Sequence, residues 1–265
     1  MQAHLTYLEP TGERPWHYMY APPNGGPQHN CRFTSHAMAI ADARGAAPSI
    51  ELEGFELREA RSTVRDFRDD EAVKRLYYPE VARLALEATG ARHAYVFDHQ
   101  VRRREANRAP LSFGRHGDGR QPGAAGRVHN DYTEASARRR LALVWKGSPQ
   151  RRFAILNVWR SIGGAVLDTP LAVCDARSVA PQDLVASDIH YPGRSGEIHL
   201  VRHSRRHAWH YFPRMDRHEA MVFKQYDSSE DSARYVPHAA FDLPDIPPHA
   251  PLRESIEARC LVVYD

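Results

Sequence analysis

Residues 153–162 read FAILNVWRSI, a run dominated by aliphatic, β-branched and aromatic side chains with no Gly or Pro and with Asn157, Arg160 and Ser161 set among them, which suits a pleated, buried strand. Six further strand-like runs follow it. They are PLAVCDA (170–176), GEIHLVRH (196–203), AWHYFP (208–213), AMVFKQYD (220–227), ARYVPHAAF (233–241) and SIEARCLVVYD (255–265), with Pro, Gly, Asp or Ser between them. A succession of short strands broken by turn residues points to a mainly β sandwich or barrel with flanking helices. With 265 residues and 42% hydrophobic content the chain can build one large core, so one domain spanning 1–265 is expected, its barrel core beginning near residue 128.

Upstream the text changes character. AYVFDHQV (94–101) reads as a strand that enters an Arg- and Gly-rich stretch, 102–127, long enough to be a mobile lid or binding loop. DDEAVKRLYYPEVARLALEATGA (69–91) carries acids early, apolar residues at helical spacing and Gly90 at its end, an amphipathic helix interrupted or restarted at Pro79. Residues 1–50, rich in Pro, Gly, His and Asn, show no sustained period and read as an irregular arm over the barrel. A further helix is expected from Glu134 to Trp145.

Charge and motif content exclude several classes. The balance of 36 basic against 33 acidic residues argues against nucleic acid or an anionic membrane as partner. Without aromatic interleaving, the Arg102–Arg127 segment and the Arg138–Arg140 run read as solvated faces. Cys31, Cys174 and Cys260 are odd in number and far apart, which fits reduced, buried thiols. No apolar run approaches the ~20 residues that cross a bilayer, and the N-terminus lacks a signal pattern, so a cytoplasmic protein is expected. GDGRQPGAAG (117–126) is neither a phosphate loop nor a dinucleotide fingerprint, and no G-x-S-x-G elbow is present.

Among 16 histidines, His129 stands out because Asp131 lies two residues on. In an extended strand both side chains share a face, and with one more histidine they make a 2-His-1-carboxylate triad with open metal positions. Alone, H-x-D is better explained as a surface pair. Context comes from His238 in VPHAAF, with Arg253 and Ser255 following on the next strand. A guanidinium and a hydroxyl on one face suit one carboxylate of a dicarboxylic acid. An ion pair of Arg253 with Glu254 or Glu257 is the plainer alternative, and Arg259, on the same face, is a rival anchor. His210 is the alternative distal ligand, with His199, His203 and His207 nearby in a histidine-rich hairpin. Asn157, Trp159 and Arg160 are placed near the pocket, whereas Asp175 and Asp227 fit internal polar networks.

TGARHAYVFDHQVRR (89–103), RVHNDYT (127–133), NVWRSIGGAVLDTPLAVCDARSV (157–179), HAWHYFPRM (207–215), MVFKQYDSS (221–229), VPHAAF and RESIEAR (253–259) together resemble the gibberellin-desaturase-like, CmcJ-like and AsaB-like family of secondary metabolism. The resemblance runs from about residue 50 to the end. It implies a double-stranded β-helix (jelly-roll, cupin-like) oxygenase that uses iron(II), dioxygen and 2-oxoglutarate to hydroxylate or desaturate a small-molecule natural product. The metal pair falls on His129 and Asp131, while His238 rests on strand order. A silent barrel serving a partner methyltransferase or synthetase is the alternative, and a metal hydrolase or isomerase is a third reading. A homodimer is also compatible. The Gly- and Arg-rich stretch before His129 departs from the family pattern and leaves the substrate open.

Overall fold

In the computed structural model, residues 1–113, 122–148 and 152–264 are described. Five antiparallel strands form the smaller sheet, in the order β4 (Phe55–Glu59), β12 (Glu219–Asp227), β7 (Phe153–Ser161), β14 (Glu254–Val263), β5 (His93–Arg103). The larger has nine, ordered β1 (Gln2–Leu8), β3 (Phe33–Asp42), β11 (Trp209–Tyr211), β8 (Leu171–Cys174), β13 (His238–Ala240), β6 (His129–Asn130), β10 (Arg194–Val201), β9 (Leu184–Tyr191), β2 (Trp16–Tyr18). It is mixed, the β3–β11 and β2–β9 pairs being parallel. The two sheets face each other as a curled jelly roll, the mainly β double-stranded β-helix that the strand series implies.

Every residue of β7 is buried because both faces of its sheet are covered. Ala154, Leu156 and Val158, with Ile256, Ala258, Cys260 and Val262 of β14, pack beneath Val81, Leu84 and Ala85 of a helix. The opposite face sends Trp159, Met221 and Phe223 toward Leu171 and Val173 of the larger sheet. Since strand side chains alternate, Asn157 and Trp159 point between the sheets and Arg160 points to the helix.

That helical stretch starts as α1 (Asp70–Ala72), capped by the Asp69 carboxylate, passes through a π-helical segment Val73–Tyr77, and continues as α2 (Tyr78–Thr89). Pro79 follows directly on the π-helical segment, in the first turn of α2. Gly90, at φ 67°, takes the left-handed conformation that ends the helix. Thr133 and Ser136 form a reciprocal cap on α3 (Glu134–Val144).

The arm expected to be irregular is largely sheet. β1 and β3 pair in antiparallel register from Gln2↔Ala39 to Leu8↔Phe33, burying Leu5, Tyr7 and Ile40. The Pro- and Gly-rich text lies mostly between these strands and hid the alternation within them. β4 and β9 were likewise missed, β9 because Ser187, Asp188 and His190 interrupt its apolar pattern. Residues 114–121 of the expected 102–127 loop lie outside the described residues. Its remaining parts are tied down: Arg104 is buried against Asp242 at 2.8 Å, and Gly126 N–H donates to Ser112 O at 2.8 Å. Among the described residues no helix is long and apolar enough to cross a membrane.

Candidate metal and co-substrate site

His129 of β6 sits directly opposite His238 of β13 in the antiparallel register, their ring centroids 4.3 Å apart. β6 ends at Asn130, and the chain bends so that donor atoms of His129, Asp131 and His238 all lie within 4.8 Å of one another. This is the one such His/Cys/Asp/Glu group among the described residues.

Hydrogen bonds aim each donor. His129 Nδ1 donates to Arg127 O at 2.7 Å and His238 Nδ1 to Val236 O at 3.4 Å, which leaves both Nε2 atoms as acceptors. The tautomers follow from these carbonyl partners. Asp131 Oδ2 accepts from Asn157 Nδ2 at 3.0 Å and from Arg259 Nε at 2.8 Å, and Oδ1 lies 3.5 Å from His129 Nε2. Asn130, between the two predicted ligands, is the structural tie. Its Nδ2 donates to Tyr132 O and Gln225 O, and its Oδ1 accepts from Val236 N–H, so one side chain locks the bend, β12 and the approach to His238.

The electrostatics keep Asp131 and His238 in metal-binding form. Burial raises the Asp131 carboxyl, but the Arg259 guanidinium beside it more than offsets this and holds the group well below the usual carboxylate range. Burial, then His129, pushes His238 down to about 3, so its imidazole stays neutral. Glu257 moves the other way: burial first, then the Asp131 charge, raises it. A cavity of about 520 Å³ opens onto His129, Asp131, Tyr132 and Arg259. A second, of about 580 Å³, lies beyond β10 among Val179, Leu184, His199 and Tyr235. It is slightly larger but lacks the triad, and chemistry rather than size decides between them.

The family described as "Oxidoreductase/YMDC permease-like domain" matches residues 5–263. An Fe(II)/2-oxoglutarate-dependent dioxygenase, nvfI of Aspergillus novofumigatus, is 34% identical over 262 residues, covering 93% of this chain and 90% of its own. The chain belongs to the iron(II)- and 2-oxoglutarate-dependent oxygenase family. The hydroxylase/desaturase efuI of Hormonema carpetanum is 32% identical, covering 88% of this chain and 85% of its own. A solved structure of the iron and alpha-ketoglutarate-dependent endoperoxidase NvfI superposes with a TM-score of 0.84 at 29% identity, covering 100% of this chain and 98% of that one.

In this oxygenase Arg253 immediately precedes β14 and is 3% exposed. It makes no ion pair with Glu254, which takes Arg68 and Arg103, or with Glu257, which lies 3.4 Å from Arg259. Its Nη1 donates to Thr169 O at 3.1 Å, its guanidinium lies 5.5 Å from the Trp159 ring centroid, and its Nε has no partner. Burial, then the Arg102 charge, lowers its pKa to about 10. A buried cation with an unmade hydrogen bond fits a carboxylate. Ser255 is buried two residues on.

Other expectations separate. Arg259 contacts the Asp131 carboxylate and is better placed as its clamp than as a co-substrate anchor. Arg160 lies on the helix side, bonded to Tyr77 Oη and Ala60 O, away from the cavity, because alternation along β7 sends it there. His210 of β11 packs on Phe55, at 5.5 Å between centroids, outside the triad. His207 bonds Tyr7 and Asp183, and His203 stacks on His36. Asp227 holds Arg152 and the buried Lys224 in an internal network, whereas Asp175 pairs with the exposed Arg177 at the surface. The sequence reading missed Asn130, Gln225 and His17. His17, from β2, lines the cavity stacked on Phe113 at 4.0 Å, both its ring nitrogens buried without partners. Nothing in its local text distinguishes it.

Proposed function

We propose that this oxygenase binds iron(II) through His129, Asp131 and His238 and hydroxylates or desaturates a small-molecule natural-product intermediate, consuming 2-oxoglutarate and dioxygen. The observation that carries the reading is the convergence of two imidazoles and one carboxylate, the latter held well below its usual range, beside a cavity that His129 and Asp131 line. Two nitrogens and one oxygen on one side of a metal suit iron(II) and leave the other positions open. When bound, the iron, oxygen and 2-oxoglutarate together supply the power to oxidise an unactivated carbon.

The chain's own residues supply the arrangement. Arg253, helped by Ser255, receives the distal carboxylate of 2-oxoglutarate, and its burial strengthens that contact by excluding competing water. Asn157 and Arg259 hold Asp131 ionised and oriented. Trp159 and Phe223 help keep the space between the sheets dry. A silent barrel would have no use for this set of oriented donors.

The test is succinate release from 2-oxoglutarate by the purified protein with iron(II) under air. Iron-dependent succinate that disappears in Asp131→Ala supports the proposal. Metal binding without any use of 2-oxoglutarate would favour a hydrolase or isomerase, and neither activity nor metal binding would favour the silent barrel.

A further inference from the structure

Resting on the oxygenase reading for which site is meant, we propose that the substrate of this cavity is an amphiphilic acid, an apolar skeleton bearing a carboxylate that is held by Arg139 and Arg140. The two arginines sit on α3 and line the same cavity as His129 and Asp131. Three carboxylates also line it, and each is already engaged. Asp98 lies 3.1 Å from Arg259, Asp131 lies 2.8 Å from Arg259, and Glu197 bonds Arg14 and Thr133.

Arg139 and Arg140 are not engaged in this way. Neither makes an ion pair among the described residues: the Arg139 charge acts on Glu197 and Asp188 only as a minor influence at longer range, and Arg140 lies 4.5 Å over the Phe97 ring. Their neighbour Arg138 differs, since it folds back onto Glu134 at 2.7 Å along the helix surface. Arg194 of β10 adds a further cation to the lining, 4.1 Å over Tyr191. With its three acids paired and Arg139, Arg140 and Arg194 facing it without an ion pair among the described residues, the cavity carries an excess of positive charge that attracts anions.

The apolar part of the lining is equally specific. Leu143 lies one helical turn after Arg139 and Arg140 and is 68% exposed at the cavity rim, a large side chain with little protein cover. Met19, Phe113, Ile189 and Ile198 continue the apolar wall. Cation and hydrocarbon on one helix face suit a ligand whose acid end is next to a nonpolar body. 2-Oxoglutarate does not fit this description, because it is small, has no apolar body and has its own buried cation in Arg253.

The test uses two fluorescent probes of nearly the same shape, anionic 1-anilinonaphthalene-8-sulfonate and neutral N-phenyl-1-naphthylamine. Both are titrated into protein saturated with manganese(II) and 2-oxoglutarate, so that the anion cannot occupy the Arg253 site. The anionic probe is expected to bind roughly tenfold more tightly than the neutral one, as a charge-assisted hydrogen bond implies. Arg139→Gln/Arg140→Gln should abolish that preference and leave the neutral probe's Kd within about twofold, while Arg138→Gln should change neither. Equal affinity for the two probes, or equal loss in Arg138→Gln, overturns the proposal. Iron(II) and 2-oxoglutarate binding, read by absorbance in separate samples, keeps the two readings apart. Anion preference without cofactor binding would leave the acid site standing and remove the oxygenase reading.

Discussion

Arg259 Nε donates to Asp131 Oδ2 at 2.8 Å, joining the last strand of the small sheet to the bend that follows β6. Arg259 also reaches Asp98 at 3.1 Å and Glu257 at 3.4 Å. Burial lowers the Arg259 pKa, but Asp131, Asp98 and Glu257 outweigh it and raise the group well above its ordinary value. Removing one partner of a buried ion pair leaves the other charge stranded and costs about 3–5 kcal/mol. Arg259→Ala should therefore melt well below wild type and bind metal poorly, as differential scanning calorimetry and metal analysis would show. An unchanged melting temperature would mean the clamp contributes nothing.

The distal ligand separates the two candidate histidines cleanly. His238→Ala should lose bound iron, with affinity reduced by more than the roughly 10–100-fold that loss of an outer-shell partner costs, whereas His210→Ala should retain it, since His210 packs on Phe55 outside the triad. Metal content after dialysis reads both. Retention in His238→Ala with loss in His210→Ala would reverse the assignment.

Arg253→Gln should raise the KM for 2-oxoglutarate about tenfold or more, the loss expected for a charge-assisted contact of roughly 1.5–3 kcal/mol, with iron affinity little changed. Ser255→Ala should have a smaller effect in the same direction. Steady-state kinetics with 2-oxoglutarate as the varied substrate measure this, and an unaltered KM in Arg253→Gln would move the anchor elsewhere.

Acid should destabilise the metal-free protein. Burial lowers His17 to about 3, His199 to about 4 and His238 to about 3. The folded state keeps these rings unprotonated, while the unfolded chain takes up protons below about 6.5. The unfolded state then binds more protons, so stability falls as pH drops from about 6.5 toward 4. Each ring contributes on the order of 2 kcal/mol of this loss by pH 5. Denaturant melts across this window should show it, and a flat profile would contradict the burial of these rings.

The barrel was legible because its central strands are mostly apolar and free of Gly and Pro. FAILNVWRSI is buried along all of β7, and helix signals at Asp69 and Gly90 mark real boundaries. β1 and β3 were not legible, since strands that leave one face in solvent carry polar residues and lie beside Pro- and Gly-rich text. At the site, the H-x-D spacing led to two residues the fold brings together, and strand order led to His238 beside them. Sequence could not tell Arg253 from Arg259, which share a strand face: only the sheet pairing shows that Arg259 lies across from Asn157, beside Asp131. His17 comes to the cavity by a parallel pairing of β2 with β9 across about 170 residues, a contact no local pattern encodes.

The central claim is that His129, Asp131 and His238 form an iron site adjoining a 2-oxoglutarate anchor at Arg253. Anaerobic titration of the metal-free protein with iron(II) and then 2-oxoglutarate tests it most directly, through the weak visible metal-to-ligand charge-transfer band. Wild type should show a band that is absent in His129→Ala and reached only at higher 2-oxoglutarate in Arg253→Gln. No band in folded wild type, or an unchanged band in His129→Ala, would contradict it.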